Sequence, residues 1–331
     1  MRAVVYDRYG PPEVLRLAEV DAPTPADGEL LVRVQATAVT RADCATRDAN
    51  RRSGIGVSLI SRSISGIRRP RQPILGSEFA GTVEAVGSGV QAFRPGERVF
   101  GTTGFKFGAY AELVSVPESA PIAIMPDGMA FADAASVTDG GLNALWCLRQ
   151  GGIQAGQRVL IYGGSGAIGT AGIQLARQFD ADVTAVCSTR HVDLVRSLGA
   201  DRVIDYTHDD FRANGQAYDL IFDAVGKLSF AGCRRSLRPG GSYLATDGLR
   251  NLPLALVTAH GGLRKVKFSI PPRYTQADVL LLKELLEAGA YRPIVDRTYP
   301  LEDVVEATRY VETERKTGNV VLVKMQATTG D

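Results

Sequence analysis

Three glycines at a fixed spacing are the clearest chemical feature of the sequence. Gly164, Gly166 and Gly169 form the pattern G-x-G-x-x-G, which follows an apolar stretch and opens an amphipathic one. In this setting Gly164 allows a tight turn, Gly166 lets the backbone approach a pyrophosphate, and Gly169 allows the next helix to pack closely. The free N–H groups at the helix start attract the phosphate. The residues predicted to bind a dinucleotide are Gly164, Ser165, Gly166, Ala167, Ile168 and Gly169.

The residues about twenty positions further on indicate which dinucleotide binds. An NAD site would place Asp or Glu there to hold the ribose 2'-hydroxyl, but this chain has the stretch Cys187-Ser188-Thr189-Arg190. The Ser188 hydroxyl and the Arg190 guanidinium are suited to receive a 2'-phosphate. The sequence therefore favours NADP(H) over NAD(H). The alternative is that Arg190 is only a solvated residue at the start of a helix.

Short apolar strands and helices alternate around this loop, which indicates βαβ units and a parallel sheet. The predicted strands are Arg158–Tyr162, Asp182–Cys187, Arg202–Ile204, Leu220–Ala224 and Ser242–Ala245. The predicted helices are Ala167–Phe179 and Val192–Leu198. These elements place the glycine loop at the carboxyl end of a strand, where a nucleotide can reach it.

The preceding part of the chain has a different pattern, typical of a loop-rich β domain. Its β-rich stretches are Leu30–Ala36, Phe79–Val86 and Tyr110–Val116. Near the other end we expect a helix over Gln276–Ala288 and a strand over Asn319–Val323. We expect that strand to return to the first domain, because nothing parallel is available for it to extend. The predicted domains are 1–128 with 273–331, and 129–272.

Composition and charge exclude several classes of protein. The chain has 331 residues, 45% hydrophobic and 22% charged, with a formal net charge of +2 from 38 basic and 36 acidic side chains. Such a balance gives no whole-surface attraction to nucleic acid or membranes, so a partner of that kind would need a local patch. Four separated cysteines without a C-x-x-C pair predict buried apolar residues. Without a signal peptide or an apolar run long enough to span a membrane, we expect a cytoplasmic location.

One segment, between Ala49 and Pro73, concentrates positive charge. It carries six arginines and no acidic residue, and isoleucines, Val57 and Leu59 are interleaved with them. Three interpretations of residues 50–72 stay open. The segment is a solvated basic loop, a lid that meets an anionic or amphipathic substrate, or a contact for nucleic acid, which the overall charge balance does not favour.

Across nearly its whole length the chain resembles the medium-chain dehydrogenase/reductase superfamily, and specifically its zinc-free branch of quinone oxidoreductases and enoyl reductases. The phrases that carry the resemblance are ILGSEFAGTVEAVGSGVQAFRPGERVFG, FGAYAELVSVP, VLIYGGSGAIGTAGIQLAR, LGADRVIDY, YDLIFDAVG and TGNVVL. The resemblance implies an α/β fold with a GroES-like β-rich catalytic domain, a Rossmann doubly wound parallel-sheet domain and a substrate cleft between them. It also implies a homodimer formed through edge strands such as Lys265–Ile270.

The resemblance also makes a prediction about metal binding. Zinc-dependent members supply Cys, His and Cys at positions that match Thr40, Ser77 and Gly140, none of which offers the thiolate or imidazole that zinc prefers. The structural zinc lobe is missing too, so we expect no metal. Glu78 remains, and we expect it to be a buried carboxylate held by hydrogen bonds rather than a ligand.

The resemblance also implies roles for individual residues. Thr40 and Asp43 would lie near the nicotinamide as catalytic candidates, and the Thr40 hydroxyl would polarise the acceptor oxygen; equally, Asp43 could cap the helix that begins beside it. Further cofactor contacts are implied at Asn143, Tyr206, Val225, Gly226 and Asn319, the last standing where relatives commonly have Lys. His191, His208 and His260 fall away from the predicted chemistry.

Without a Lewis acid, the expected acceptors are those that can take a hydride into a conjugated system. The leading hypothesis is an NADPH-dependent reductase of quinones or α,β-unsaturated carbonyls. The alternatives are a zinc-free alcohol or aldehyde oxidoreductase, and an NADPH-binding sensor or RNA-binding protein of the same fold.

Overall fold

A computed structural model describes residues 1–51, 54–246, 251–259, 263–267 and 272–324. The chain divides into two compact units. The first unit contains residues 1–139, 275–284 and 293–331, and the second contains residues 140–274 and 285–292.

The strands of both units, in chain order, are β1 (Arg2–Val5), β2 (Arg16–Glu19), β3 (Glu29–Ala38), β4 (Glu78–Val86), β5 (Arg98–Thr102), β6 (Leu113–Pro117), β7 (Ile122–Ile124), β8 (Arg158–Tyr162), β9 (Asp182–Cys187), β10 (Arg202–Asp205), β11 (Tyr218–Asp223), β12 (Leu237–Ala245), β13 (Lys265–Lys267), β14 (Val295–Pro300) and β15 (Asn319–Val323). The α-helices are α1 (Arg41–Arg47), α2 (Ile55–Ser65), α3 (Phe131–Ala135), α4 (Thr138–Gly151), α5 (Ala167–Gln178), α6 (Val192–Ser197), α7 (Phe230–Cys233), α8 (Asn251–Ala259), α9 (Gln276–Glu287) and α10 (Val304–Glu312).

The second unit is built on a parallel sheet with the strand order β10-β9-β8-β11-β12-β13. The central strands are almost continuously apolar and buried, because helices cover both faces of such a sheet. The chain runs outward from β8 to β10, returns to the centre at β11 and runs outward again to β13. This is the doubly wound order of a Rossmann fold, and its direction changes between β8 and β11. The prediction of a parallel, doubly wound sheet is confirmed.

Most boundaries predicted for this sheet lie within two residues of those in the structure, but β12, predicted over Ser242–Ala245, begins five residues earlier, at Leu237. The strands Arg158–Tyr162 and Asp182–Cys187 have the predicted limits, and α5 and α6 each end one residue earlier than predicted. The strand β13 forms one edge of the described sheet. The remainder of the predicted edge strand, residues 268–270, lies outside the described residues, as does His260.

The first unit is β-rich, as predicted. Its larger sheet has the order β14-β15-β3-β4-β5-β7, and β6 also pairs with β3. The long strand β3 pairs antiparallel with β4, β6 and β15, which places it at the centre of the sheet. Apolar clusters fill the described part of the unit, among them one around Phe79 and Leu30 and one around Tyr6 and Tyr110.

The prediction for the terminal strand β15 was partly right and partly wrong. It has the predicted limits and returns to the first sheet through antiparallel pairing with β3. The expectation that it had nothing parallel to extend was wrong, because β14 pairs with it in parallel from Val295 to Pro300. The stretch VDRTYP gives little strand signal, since it is polar and ends in proline.

The arginine-rich segment also differs from its first interpretation. Its centre is not a loop but the helix α2, which ends at Ser65 before Gly66. Arg52 and Ser53 lie outside the described residues. No helix in the described part of the chain is long and apolar enough to cross a membrane.

Candidate active site

The glycine loop leaves β8 through a residue in the left-handed backbone region. That residue is Gly163, with φ +81°, and not Gly164, to which the sequence analysis assigned the tight turn. A Cβ atom at Gly163 would also lie 2.6 Å from Cγ1 of Val225. The N–H groups of Gly163 and Gly164 both donate to the carbonyl oxygen of Val186, at 3.1 and 2.9 Å. The loop is therefore fixed to the neighbouring strand β9 before the helix begins.

The remaining two glycines of the motif have different surroundings. A Cβ atom at Gly169 would lie 2.1 Å from the carbonyl oxygen of Gly163, so only glycine lets α5 approach the loop this closely. A Cβ atom at Gly166 would meet nothing nearer than 3.6 Å. Gly166 is the N-cap of α5, and no side chain caps this helix end. The first turn of α5 thus presents backbone N–H groups of the kind that hold a phosphate.

A second loop flanks the position where the sheet reverses direction. It follows β11 and contains the predicted residues Val225 and Gly226, the latter with φ +67°. The buried Asp223 carboxylate accepts from the N–H groups of Val225 and Leu228, at 3.3 and 2.7 Å, and from the Tyr243 hydroxyl at 3.2 Å. Burial raises the pKa of Asp223, and these hydrogen bonds oppose that rise. Because ligands of such sheets bind beside the switch point, the two fixed loops are suited to hold a dinucleotide.

The end of β9 carries the residues predicted to choose the coenzyme. Arg190 is exposed, and the Ser188 hydroxyl lies 3.2 Å from Nδ1 of His191. Tyr206 is 53% exposed, and its ring centroid lies 6.4 Å from that of Tyr162. Ser188 and Arg190 follow the end of β9 in the chain, and hydroxyl and guanidinium groups are of the kind that bind a 2'-phosphate.

The sequence analysis missed the carboxylate beside this position. Asp205 ends β10 and is in register with Cys187, the last residue of β9. Its carboxylate accepts from the hydroxyl and the N–H of Thr207, at 2.7 and 2.9 Å. Hydrogen bonding from Thr189 is the main cause that lowers the pKa of Asp205 to about 2, and Thr207 adds to it. Attention to the end of the neighbouring strand, and not only to β9, would have found it.

Two more predicted cofactor contacts already have partners within their own units. The Asn143 side chain on α4 accepts at 2.8 Å from the hydroxyl of Tyr274, a residue the sequence analysis did not single out. Asn319 is buried, and its backbone N–H and its side-chain amide both donate to the carbonyl oxygen of Ile294, at 2.8 and 3.1 Å. Asn319 therefore holds the start of β15, and its contact with a cofactor stays a prediction.

The two catalytic candidates form a reciprocal cap at the start of α1. The Thr40 hydroxyl donates to Oδ2 of Asp43 at 2.7 Å and accepts from the Asp43 N–H at 3.2 Å. The Thr40 N–H also donates to Oδ2, at 2.9 Å, which completes a capping box. Both side chains are only 2% exposed, and burial raises the pKa of Asp43 to about 6. The alternative that Asp43 caps a helix is confirmed, while a catalytic role for either residue stays a prediction.

Glu78 begins β4 and lies in a buried cluster of acidic groups. Its Oε1 atom accepts from the Thr102 hydroxyl at 3.0 Å, and Oε2 accepts from the Thr138 hydroxyl. Burial and, to a smaller extent, the charge of Asp139 raise the pKa of Glu78 to about 8. Burial raises the pKa of Asp139 and lowers the pKa of Lys316, and the charge of each opposes the shift of the other. Glu78 is thus the hydrogen-bonded carboxyl group that the sequence led us to expect, and its burial favours the protonated form.

The residues at the family's zinc positions do not fit a zinc ion. Thr40 has its hydroxyl committed to Asp43, and Ser77 offers neither imidazole nor thiolate. Gly140 has no side chain, and a Cβ atom there would lie 2.5 Å from the carbonyl oxygen of Ala167. Within the described residues, no three His, Cys, Asp or Glu side chains are grouped so that they could hold a metal ion.

Comparison with known families gives two matches that together cover most of the chain. Residues 26–127 match the alcohol dehydrogenase GroES-like domain, and residues 198–322 match the zinc-binding dehydrogenase family. The second family is named for zinc, whereas Thr40, Ser77 and Gly140 offer neither thiolate nor imidazole at the matching positions. The family name alone therefore does not assign zinc to the protein.

Individual relatives align over nearly the whole chain. The 2-methylene-furan-3-one reductase of Solanum lycopersicum is 31% identical over 97% of this chain and 79% of its own length. The NADPH-dependent alkenal/one oxidoreductase of Arabidopsis thaliana, a chloroplastic protein, has the same identity and coverage. Among solved structures, the quinone oxidoreductase from Coxiella burnetii superposes with a TM-score of 0.85 at 27% identity, covering 98% of this chain and 99% of that one. The chain, with its Rossmann sheet and its β-rich GroES-like unit, belongs to the medium-chain dehydrogenase/reductase superfamily.

Proposed function

We propose that the protein is an NADPH-dependent reductase that transfers hydride to quinones or α,β-unsaturated carbonyl compounds without zinc. The observation that carries the proposal is the pairing of a built nucleotide loop with zinc positions that hold no zinc ligand. The names of the relatives, which include an NADPH-dependent alkenal/one oxidoreductase and a quinone oxidoreductase, support the same class of acceptor.

The chain's own residues supply coenzyme binding and orientation. The backbone from Gly164 to Gly169, together with the start of α5, would hold the pyrophosphate. Ser188 and Arg190 would hold the 2'-phosphate, and Tyr206 would lie beside it. The loop at Val225 and Gly226, fixed by Asp223, would border the same molecule.

When bound, NADPH supplies the hydride, which goes to the electron-poor carbon of the acceptor. The protein has to place the acceptor and stabilise the charge that develops on its oxygen. An enone or a quinone spreads this charge over a conjugated system, so ordinary hydrogen-bond donors suffice where a saturated ketone would need a Lewis acid. Asn143, oriented by Tyr274, is our candidate for the contact with the nicotinamide end.

We extend the proposal to domain limits, location and assembly. The catalytic domain comprises 1–128 with 273–331 and the coenzyme domain 129–272, close to the two compact units. A cytosolic location and a homodimer through the edge strand β13 are part of the proposal. The position of β13 at the end of the sheet order supports the homodimer.

The proposal is tested by an acceptor screen on protein whose metal content has been measured. Purified enzyme is mixed with NADPH or NADH and with an enone, a benzoquinone or a saturated aldehyde, and coenzyme oxidation is followed at its absorbance maximum. We expect turnover with the enone or the quinone, preference for NADPH and no loss of activity after treatment with a chelator. Activity confined to saturated aldehydes, or abolished by the chelator and restored by zinc, would overturn the proposal.

A further inference from the structure

The helix α2 exposes apolar side chains, whereas an ordinary surface helix exposes polar ones. A helix on a globular protein normally buries its apolar side and exposes its polar side. In α2, Ile55, Leu59 and Ile60 are 82%, 64% and 57% exposed, and Ile67 just beyond the helix is 72% exposed. Ile55 and Leu59 are four residues apart, so they lie on the same side of the helix.

The side of α2 that contacts the rest of the unit carries the half-buried serines Ser58, Ser61 and Ser65. The Ser61 hydroxyl accepts at 2.9 Å from the side chain of Asn50. The Arg62 guanidinium lies 5.0 Å from the centre of the Tyr9 ring, and the Tyr9 hydroxyl donates to the carbonyl oxygen of Gly66 at 2.8 Å. These contacts hold the helix with its apolar side directed outward.

Arginines flank the exposed apolar side chains in the sequence. The helix is preceded by the exposed Arg51 and followed by the exposed Arg68, Arg69 and Arg71. No acidic residue occurs between Ala49 and Pro73. Over the whole chain the charges nearly cancel, with 38 basic and 36 acidic side chains. The segment is therefore a local basic and apolar patch on a protein of balanced charge; we call residues 51 and 54–71 the α2 patch.

We propose that the α2 patch binds the surface of an anionic lipid bilayer. A bilayer interface accepts aliphatic side chains at the level of the headgroups, while arginines contact the lipid phosphates. The patch offers both features together, and α2 would lie in the plane of the surface. RNA would also attract the arginines, but single-stranded RNA is held largely by stacking on aromatic rings, and the sequence from Ala49 to Pro73 has none.

The test is co-sedimentation of the full chain with vesicles. One set of vesicles contains phosphatidylcholine alone, and the other contains phosphatidylcholine with phosphatidylserine. We expect binding to the anionic vesicles only, and we expect added salt to weaken it because screening reduces the charge attraction. Equal binding to both sets, or binding to neither, would overturn the proposal.

Two pairs of variants separate charge from apolar contact. Arg68→Gln/Arg69→Gln should weaken binding to the anionic vesicles roughly tenfold or more, since each arginine contributes near a charged surface. The matched control is Arg234→Gln/Arg235→Gln, another adjacent exposed pair, which should bind as the wild type does. Ile55→Ser/Leu59→Ser should also lose most binding. Its control is Leu256→Ser/Val257→Ser on α8, where both side chains are exposed as well.

Activity without vesicles keeps this proposal distinct from the proposed function. We expect all four variants to oxidise NADPH with the enone or the quinone as the wild type does. If Ile55→Ser/Leu59→Ser binds vesicles normally but loses turnover with amphipathic acceptors, α2 is a substrate lid and the membrane proposal is wrong. If vesicles do not bind while a single-stranded RNA does, with affinity that depends on Arg68 and Arg69 but not on Ile55 and Leu59, the partner is nucleic acid.

Discussion

The backbone N–H of Gly76 donates to Oδ1 of Asp43 at 3.0 Å. This hydrogen bond connects the cap of α1 to the turn that leads into β4. Gly76 has φ +86°, and a Cβ atom there would lie 2.3 Å from Cδ1 of Tyr110, so only glycine brings this N–H to the carboxylate. One buried carboxylate thus fixes two segments that are far apart in the sequence.

Asp43→Asn should therefore destabilise the protein more than an ordinary helix-cap change does. The amide replaces one carboxylate oxygen with a donor, so at least one of the three donors at Thr40 and Gly76 loses its acceptor in a buried position. We expect the free energy of unfolding to fall by about 1–3 kcal/mol. Urea unfolding measures it, with Asp193→Asn, an exposed acidic residue in the first turn of α6, as the control. Equal effects of the two substitutions would contradict the interpretation.

Thr40 allows capping to be separated from catalysis. Thr40→Ser keeps the hydroxyl group and Thr40→Val removes it while preserving the shape of the side chain. Because the hydroxyl is buried and bonded to Asp43, we expect Thr40→Val to lose about 1 kcal/mol of stability and to keep kcat close to that of Thr40→Ser. The measurement is kcat under conditions where both variants are folded. A kcat for Thr40→Val that is lower by roughly 100-fold or more would instead support a hydroxyl that acts on the acceptor.

The sequence predicted the Rossmann unit best because its signals there are local. Asp182–Cys187 is an apolar run between turns, and Gly166 precedes a periodic helix, so each boundary could be placed from neighbouring residues alone. The segment Ile55–Ser65 could not be placed this way. It has glycine at both ends, no side-chain cap and an apolar side that faces outward, so the usual pattern of a surface helix is missing.

The parts of the site that the sequence missed depend on contacts between distant residues. Tyr274 reaches Asn143 across 131 positions, and Asp205 meets the end of β9 only because two strands are in register. Tyr274 lies outside the phrases that carry the family resemblance, and Asp205 lies in LGADRVIDY, which does not by itself show which strand end the carboxylate meets. The glycine loop, in contrast, is a short continuous motif, although the sequence placed its turn at Gly164 when Gly163 carries the positive φ.

Arg190→Gln should change coenzyme preference. If the guanidinium receives the 2'-phosphate, its loss should raise KM for NADPH roughly tenfold, equivalent to about 1.4 kcal/mol, and leave KM for NADH unchanged. Arg196→Gln is a suitable control, because Arg196 is an exposed arginine on the neighbouring helix α6. Steady-state kinetics with both coenzymes give the comparison. An equal rise in KM for NADPH and NADH would show that Arg190 does not recognise the 2'-phosphate.

Two glycine-to-alanine substitutions should separate nucleotide contact from helix packing. Gly169→Ala places a methyl group against the carbonyl oxygen of Gly163, so we expect lower thermal stability and weaker NADPH binding together. Gly166→Ala has space for its methyl group within the protein, and the backbone of Gly166 is extended, with φ −79° and ψ 172°. We expect Gly166→Ala to keep the wild-type Tm and to bind NADPH more weakly, because its methyl group would face the pyrophosphate. Calorimetric titration with NADPH and thermal unfolding distinguish the two, and a Gly166→Ala protein with normal affinity would place the pyrophosphate elsewhere.

Glu78→Gln should alter how stability depends on pH. The pKa of Glu78 rises from an ordinary value of 4.5 to about 8 in the folded protein, so between these values the folded state keeps a proton that the unfolded state has released. The retained proton therefore contributes its full stabilisation below pH 4.5. As the pH rises above this value, the contribution to the free energy of unfolding falls by up to about 1.4 kcal/mol per pH unit. The fall ends near pH 8, where the Glu78 carboxyl group also ionises in the folded protein. Glutamine does not titrate in this range, so Glu78→Gln lacks this decrease in stability with rising pH.

Relative to the wild type, Glu78→Gln should thus become more stable as the pH rises from about 5 to about 8. Urea unfolding of both proteins across this range measures the difference. Asp139, whose pKa burial also raises, is present in both proteins, so most of its contribution cancels. Glu284→Gln, at an exposed position on α9, is the control and should follow the wild type at every pH. If the difference in unfolding free energy between Glu78→Gln and the wild type stays constant with pH, Glu78 is ionised in the folded protein. The difference grows with pH only if the folded protein keeps the Glu78 proton at pH values where the unfolded chain has released it.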